Sequence, residues 1–152
     1  MRFDVIAIGR LRRGPLFDLQ QLYAGRIAPP VTITEIDEKR PLPTAEMKRR
    51  EAGLMLAALP AGAQLVALDA RGEAWTSRDF ARRIAAWRDA GVPHVAFAIG
   101  GADGLGDAVI ARAAAVLSFG AMTWPHLLAR VMLLEQLYRA RQILAGHPYH
   151  RE

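Results

Sequence analysis

An α/β fold built on a mostly parallel sheet, with helices on both faces, is predicted by three features of this 152-residue chain. Short β-rich apolar runs alternate with segments whose apolar residues recur at helical spacing. Glycines follow several of those runs, as they do where strands end in tight turns. No stretch approaches the roughly 18 apolar residues that would span a membrane. One domain covering residues 1–152 is expected, because a chain of this length buries about 70% of its unfolded surface in a single core and shows no repeat or low-complexity linker.

The elements follow in order. Phe3 to Ile8 is β-rich and stops at Gly9. Leu16, Leu19, Leu22, Tyr23 and Ile27 have helical spacing, and Pro29-Pro30 closes that segment. Val31 to Ile36 alternates apolar residues with Thr or Glu, the pattern of a half-buried strand. A basic, proline-containing loop from Asp37 to Pro43 comes next, and Thr44 is expected to cap a helix reaching about Leu59. Gln64 to Leu68 reads as the third strand. Ser77 is expected to cap the following helix, with Asp79 matching the dipole in its first turn. Val95 to Ile99 is a short apolar strand running into Gly100-Gly101. Asp107 to Ala114 is helical, Val116 to Ser118 a short strand, and Pro125 opens a long helix that ends near Ala145, with Gly146 as its left-handed cap. Leu127, Leu128, Val131, Met132, Leu133, Leu134, Leu137, Tyr138 and Ile143 leave that helix little polar face, so it must pack on two sides. A second subunit is the favoured other side, a central position within one chain the alternative.

Composition narrows the function. With 20 basic and 15 acidic residues the net charge is +5, which favours polyanionic partners such as nucleic acid. The basic residues are 18 Arg and two Lys beside 28 Ala, a bias that genomic composition alone can produce. The distribution is more informative: from Ala108 to Arg151 the only acid is Glu135, against Arg112, Arg130, Arg139, Arg141 and Arg151. The absence of cysteine excludes a disulfide scaffold, a cysteine-based zinc site and a thiol nucleophile. No secretory leader pattern opens the chain, so a cytoplasmic location is expected.

Two segments are placed to hold a ligand. Gly100-Gly101-Ala102-Asp103-Gly104-Leu105-Gly106 follows a buried strand, where glycines let backbone approach a ligand. Phe119-Gly120-Ala121-Met122-Thr123-Trp124-Pro125-His126 is again a strand end followed by a helix start. Ala67-Leu68-Asp69 is positioned to supply a far wall. A dinucleotide site does not fit, because Val109 stands where the third glycine belongs and no acid occurs between Asp107 and Glu135. A phosphate loop lacks its GK[ST] signature, and no G-x-S-x-G elbow supports a hydrolase. The closing His147-Pro148-Tyr149-His150 is a poor metal site on a terminal tail without HExxH, but its rings can stack on nucleobases.

These segments, taken together, carry a resemblance. Ile99-Gly100-Gly101-x-Asp103-Gly104, Thr123-x-Pro125-His126-x-Leu128-x-Arg130, Glu135-Gln136-Leu137-Tyr138-Arg139-Ala140 and His147-Pro148-Tyr149-His150 resemble the ribosomal RNA large subunit methyltransferase H family. Leu68-Asp69-x-x-Gly72 and Ser77-x-x-Phe80-Ala81 are similar to it as well, whereas Leu16 to Glu38 carries little of the likeness. The resemblance implies a SPOUT-type α/β knot, a homodimer, and S-adenosyl-L-methionine as methyl donor. It implies methylation of N3 of a pseudouridine in 23S ribosomal RNA, with the assembled ribosome as the surface that is read.

Carried over by motif, Leu68, Gly100 and the run Phe119, Gly120, Ala121, Met122, Thr123 and Trp124 hold the donor. Ala102-Asp103 is a mild departure from the family pattern. Arg130 is expected to stabilise negative charge on the base, His150 or His126 to accept or relay the proton, Tyr149 to stack, and Arg151 to pair with phosphate. No metal and no membrane partner is expected. The rival reading is a non-catalytic RNA- or ribosome-binding module whose glycine loops are purely structural, and a nucleotide-binding oxidoreductase is a weaker third.

Overall fold

The computed structural model describes residues 1–151, so Glu152 at the end of the expected domain lies outside the described residues. The elements are β1 (Arg2–Ile8), α1 (Pro15–Ala24), β2 (Thr32–Ile36), α2 (Thr44–Ala57), β3 (Gln64–Ala74), α3 (Ser77–Asp89), β4 (His94–Ile99), α4 (Asp107–Arg112), β5 (Ala115–Ser118) and α5 (His126–Leu144). The strands form one sheet in the order β2-β1-β4-β3-β5, and every pairing between them is parallel. All loops that follow a strand therefore leave the same edge of the sheet, which is where ligands bind in open parallel sheets.

Strand alternation builds a core on each face. Val5 and Ala7 of β1, Val66 of β3 and Val95, Phe97 and Ile99 of β4 point to one side, where they meet Phe80, Ile84, Leu133, Leu134 and Leu137. Ile6 and Ile8, Leu65 and Ala67, and Ala96 and Ala98 point to the other, against Ala52, Met55, Leu105 and Val109. The first layer holds α3 and α5, and α1 also packs on α5; the second holds α2 and α4. Helix α5 thus has α1 on one flank, α3 on the other and the sheet beneath it. This packing buries Val131, Leu133, Leu134 and Leu137, while Leu127, Leu128, Met132, Tyr138 and Ile143 stay half-buried, so contacts within one chain cover only part of its apolar surface.

Several boundaries differ from the sequence reading. The cap of α3 is Thr76 rather than Ser77: its hydroxyl accepts from the Asp79 amide at 3.0 Å, and the Asp79 carboxylate accepts from the Thr76 amide, forming a capping box. Ser77 instead donates from Oγ to Gln136 Oε1 at 2.7 Å, tying α3 to α5. Thr44 is the first residue of α2, with Pro43 in the cap position and no side-chain cap bond. Ile27 lies beyond the end of α1 but is buried in the core. Strand β3 runs on to Ala74, because Leu68 and Glu73 both stand opposite Leu117 of β5 and residues 69–72 are pushed out of the ladder between them. Gly146, with φ +70°, ends α5 as expected.

Candidate functional site

A cleft of about 720 Å³ opens at the edge where β3, β4 and β5 end. Leu68, Gly100, Phe119, Gly120, Met122, Thr123, Trp124 and His126 all line it, together with Asp69, Asp103, Leu117 and Ser118. Ala121, although inside the same loop, is exposed and not among the lining residues. The size falls within the range of small-molecule sites.

Local hydrogen bonds fix the walls. The Gly104 amide donates to the Gly101 carbonyl at 3.0 Å, closing a tight turn after β4. A Cβ placed on Gly100 would lie 2.6 Å from the Gly104 carbonyl carbon, so this glycine is required by the turn's own backbone. The expected approach of a ligand to Gly100 is thus joined by a requirement of the turn itself. In the 118–124 loop, Ser118 Oγ lies 3.1 Å from both the amide and the carbonyl of Gly120, and Trp124 Nε1 donates to the Phe119 carbonyl at 3.3 Å. Gly120 has φ +109° with open space where a side chain would be, so its role there is conformational.

The electrostatics of the cleft run against those of the protein. In a chain of net charge +5, the titratable residues lining the cleft are Asp69, Asp103 and His126, with no Lys or Arg among them. Asp69 Oδ1 accepts from both Nε and the amide of Arg71, and this hydrogen bonding holds its carboxyl below the usual carboxylate range. Burial, with a smaller contribution from the Arg130 charge, lowers the pKa of His126, so its imidazole is neutral at physiological pH and able to accept a proton.

Arg130 is fully buried and does not line the cleft. Its Nη1 donates to Glu35 Oε2 at 2.6 Å and its Nη2 to the Gly9 carbonyl at 3.1 Å. The same Glu35 oxygen accepts from the Leu11 amide at 2.6 Å. Arg130 therefore clamps α5 to the ends of β1 and β2, one helical turn from His126. The cradle is tight: a Cβ on Gly9, whose φ is +91°, would lie 3.3 Å from His126 Nε2. Glu35 went unrecognised in the sequence, where an acid in an alternating strand signals only a solvent-facing position.

The tail docks elsewhere. Tyr149 packs edge-on against Tyr138 with ring centroids 4.8 Å apart, its hydroxyl donates to Glu135 Oε1 at 3.1 Å, and Arg139 lies over its ring. His150 Nδ1 is 3.2 Å from Arg139 Nη1, and because a guanidinium only donates, this nitrogen accepts. His150 Nε2 is buried with no hydrogen-bond partner among the described residues. Glu135 also lines a second cavity of about 410 Å³ with Trp75, Ser77, Met132 and Gln136, which shares the wall Leu117 to Gly120 with the cleft. Tyr149 and His150 thus stand beside this neighbouring cavity and not in the cleft, while Arg151 is exposed. The expectation of a basic, RNA-facing last third needs correction: Arg130 is buried, Arg139 is paired with Glu135, and Arg141 lies over the Phe3 ring. No group of three or more potential metal ligands occurs among the described residues, and no helix among them is long and apolar enough to cross a membrane.

Comparison with known proteins agrees with this geometry. The family model described as a predicted SPOUT methyltransferase matches residues 1–150. The chain is 55% identical over 151 residues to the ribosomal RNA large subunit methyltransferase H of Paramagnetospirillum magneticum, and 54% identical over 151 residues to that of Rhodospirillum centenum, covering 99% of this chain and of each relative. A Legionella pneumophila protein described as a methyltransferase, solved with S-adenosylmethionine bound, shares the fold at a TM-score of 0.50 and 13% identity, over 93% of this chain and 66% of that one. The chain belongs to the SPOUT methyltransferase family, and over its whole length it is similar to the ribosomal RNA large subunit methyltransferase H proteins.

Proposed function

We propose that the cleft binds S-adenosyl-L-methionine and that the chain methylates N3 of a pseudouridine in 23S ribosomal RNA on the assembled ribosome, acting in the cytoplasm as a homodimer. One observation carries the donor assignment: a cleft with acids but no lysine or arginine, in a basic protein, suits a cationic ligand. Its apolar walls at Leu68, Leu117, Phe119 and Trp124 suit a flat adenine ring. The printed names of the relatives at 54–55% identity favour the ribosomal substrate.

When bound, the donor supplies an electrophilic methyl group on a positively charged sulfur, so no covalent enzyme intermediate is needed. The chain's own task is alignment and proton transfer. The 100–104 turn and the 118–124 loop would hold the donor by backbone contacts, and Asp103 would oppose its charge, Asp69 being already held in a bidentate pair by Arg71. His126, neutral and at the cleft wall, accepts the proton that leaves N3 of the base. Arg130 acts as a positioning residue, holding Gly9 and the α5 turn that carries His126. Tyr149, whose hydroxyl reaches Glu135 at the wall of the neighbouring cavity, stacks on the base; His150, bonded to Arg139 through Nδ1, holds the tail in place. Exposed Met122 and Trp124 at the cleft rim supply apolar surface for the second subunit.

Mass mapping of 23S ribosomal RNA from cells with and without this protein tests the reading. A single nucleotide lighter by one methyl group in the deletion strain supports it. Identical transcripts in the two strains favour the non-catalytic ribosome-binding module.

A further inference from the structure

We infer that the β1–α1 loop is a rigid phosphate-binding prong that docks the ribosomal RNA backbone beside the cleft through Arg10, Arg12 and Arg13. The inference rests on the ribosomal substrate proposed above. Six exposed arginines are engaged: Arg40 and Arg50 with Glu38, Arg71 with Asp69, Arg82 with Asp79, Arg83 with Glu73, and Arg88 with Asp89, whereas exposed Arg2, Arg49, Arg112 and Arg151, which also lack an ion pair among the described residues, are scattered singly. Arg10, Arg12 and Arg13 are exposed, fall within four residues, and make no hydrogen bond or close ion pair among the described residues, although the Arg10 charge acts on Glu35. Three like charges this close repel one another, a cost that an approaching polyanion relieves.

The loop that carries them is tied down at four points. The Gly9 amide donates to the Ile36 carbonyl at 2.8 Å. Arg130 Nη2 donates to the Gly9 carbonyl, and the Leu11 amide donates to Glu35. The Leu11 side chain is buried, leaving the guanidinium groups on either side of it in solvent. Charges on a pre-ordered loop lose less entropy on binding than charges on a mobile one. The loop also adjoins the site: Gly9 abuts His126, and Ile8 abuts Gly101 of the cleft wall. Since β1 and β2 are adjacent and parallel, with Ile8 beside Ile36, exposed Lys39 leaves the same edge and extends the basic strip. Phosphate contacts of this kind fix register on a nucleic acid and leave base selection to the cleft.

The test uses the full-length variant Arg10→Gln/Arg12→Gln/Arg13→Gln, with Arg82→Gln/Arg88→Gln/Arg112→Gln as a control of equal charge loss. Three quantities are measured: affinity for S-adenosyl-L-methionine by calorimetry, methylation kinetics on large ribosomal subunits lacking the methyl group, and the salt dependence of binding to those subunits. The prong variant is expected to keep wild-type donor affinity and kcat within about twofold, to raise KM at least about tenfold, and to reduce the salt slope by about 2 to 3, near one per cation removed. The control is expected to match wild type in all three. A prong variant whose KM and salt slope match wild type or the control overturns the inference, and so does one that loses donor affinity, which would place the effect in the cleft. Wild-type protein that binds the donor but leaves the subunits unmethylated overturns the ribosomal reading and the prong with it.

Discussion

Replacing Arg130 with Met keeps most of the buried side-chain volume and removes the clamp. Two charge-assisted hydrogen bonds are lost, one to Glu35 Oε2 at 2.6 Å and one to the Gly9 carbonyl at 3.1 Å. Breaking a fully buried ion pair costs about 3–5 kcal/mol. Here the cost is smaller, because the Glu35 side chain is 31% exposed and can rehydrate once it is released. About 1 kcal/mol for that half and about 1–2 kcal/mol for the deserted Gly9 carbonyl give roughly 2–3 kcal/mol in total. For a chain of this length that is a fall in Tm of about 4–12 °C.

Urea denaturation of wild type, Arg130→Met, Glu35→Gln and the double variant would measure the cost and the coupling between the two residues. The pH dependence gives a second check. Burial pushes the Glu35 pKa up, but the bonds from Arg130 and the Leu11 amide outweigh it, and the net value lies below 4.5. A depressed carboxylate stabilises the fold fully above its unfolded pKa and loses that contribution as the pH falls through its folded value. The gap between wild type and Arg130→Met should therefore be constant near neutrality and narrow in acid. A destabilisation below about 0.5 kcal/mol, or a gap that widens in acid, would refute the clamp.

Gly100→Val should abolish donor binding and also destabilise the fold by more than about 1 kcal/mol, because its Cβ would meet the Gly104 backbone at 2.6 Å; calorimetry and urea denaturation together check this, and a variant of wild-type stability would show that the turn tolerates a side chain. Thr76→Ala should cost about 1 kcal/mol through loss of the α3 capping box, measured by thermal unfolding; a neutral result would remove the cap from the account. His126 should titrate below 6.5 in an NMR pH series, so methylation is expected to be flat above neutrality and to fall as acid protonates the imidazole; an unchanged rate in His126→Ala would eliminate it as the proton acceptor.

The sheet and the cleft were legible because they rest on local patterns. Val95 to Ile99 running into paired glycines and Val116 to Ser118 running into Phe119-Gly120 mark strand ends, and strand ends of a parallel sheet share one edge. What escaped the sequence was every feature that depends on a distant partner. Arg130 is 95 residues from Glu35 and 121 from Gly9, and nothing around it distinguishes a buried clamp from a catalytic cation. The apolar residues of the long helix gave no sign that α1 and α3 flank it and that Leu133, Leu134 and Leu137 are buried within one chain. The extension of β3 to Ala74 was hidden by Asp69, Arg71 and Glu73, whose polarity suits an excursion over a sheet edge as well as a loop. The choice between Thr76 and Ser77 as cap turned on one residue of register, within the usual uncertainty of helix ends.

The location of the donor site is tested most directly by titrating isotopically labelled protein with S-adenosyl-L-methionine and following backbone amides by NMR. Saturable shifts concentrated at residues 68–69, 100–104 and 118–126 are predicted, with the amides of α2 and α4 unmoved. Saturable shifts centred elsewhere, or no binding at millimolar donor, would contradict the assignment.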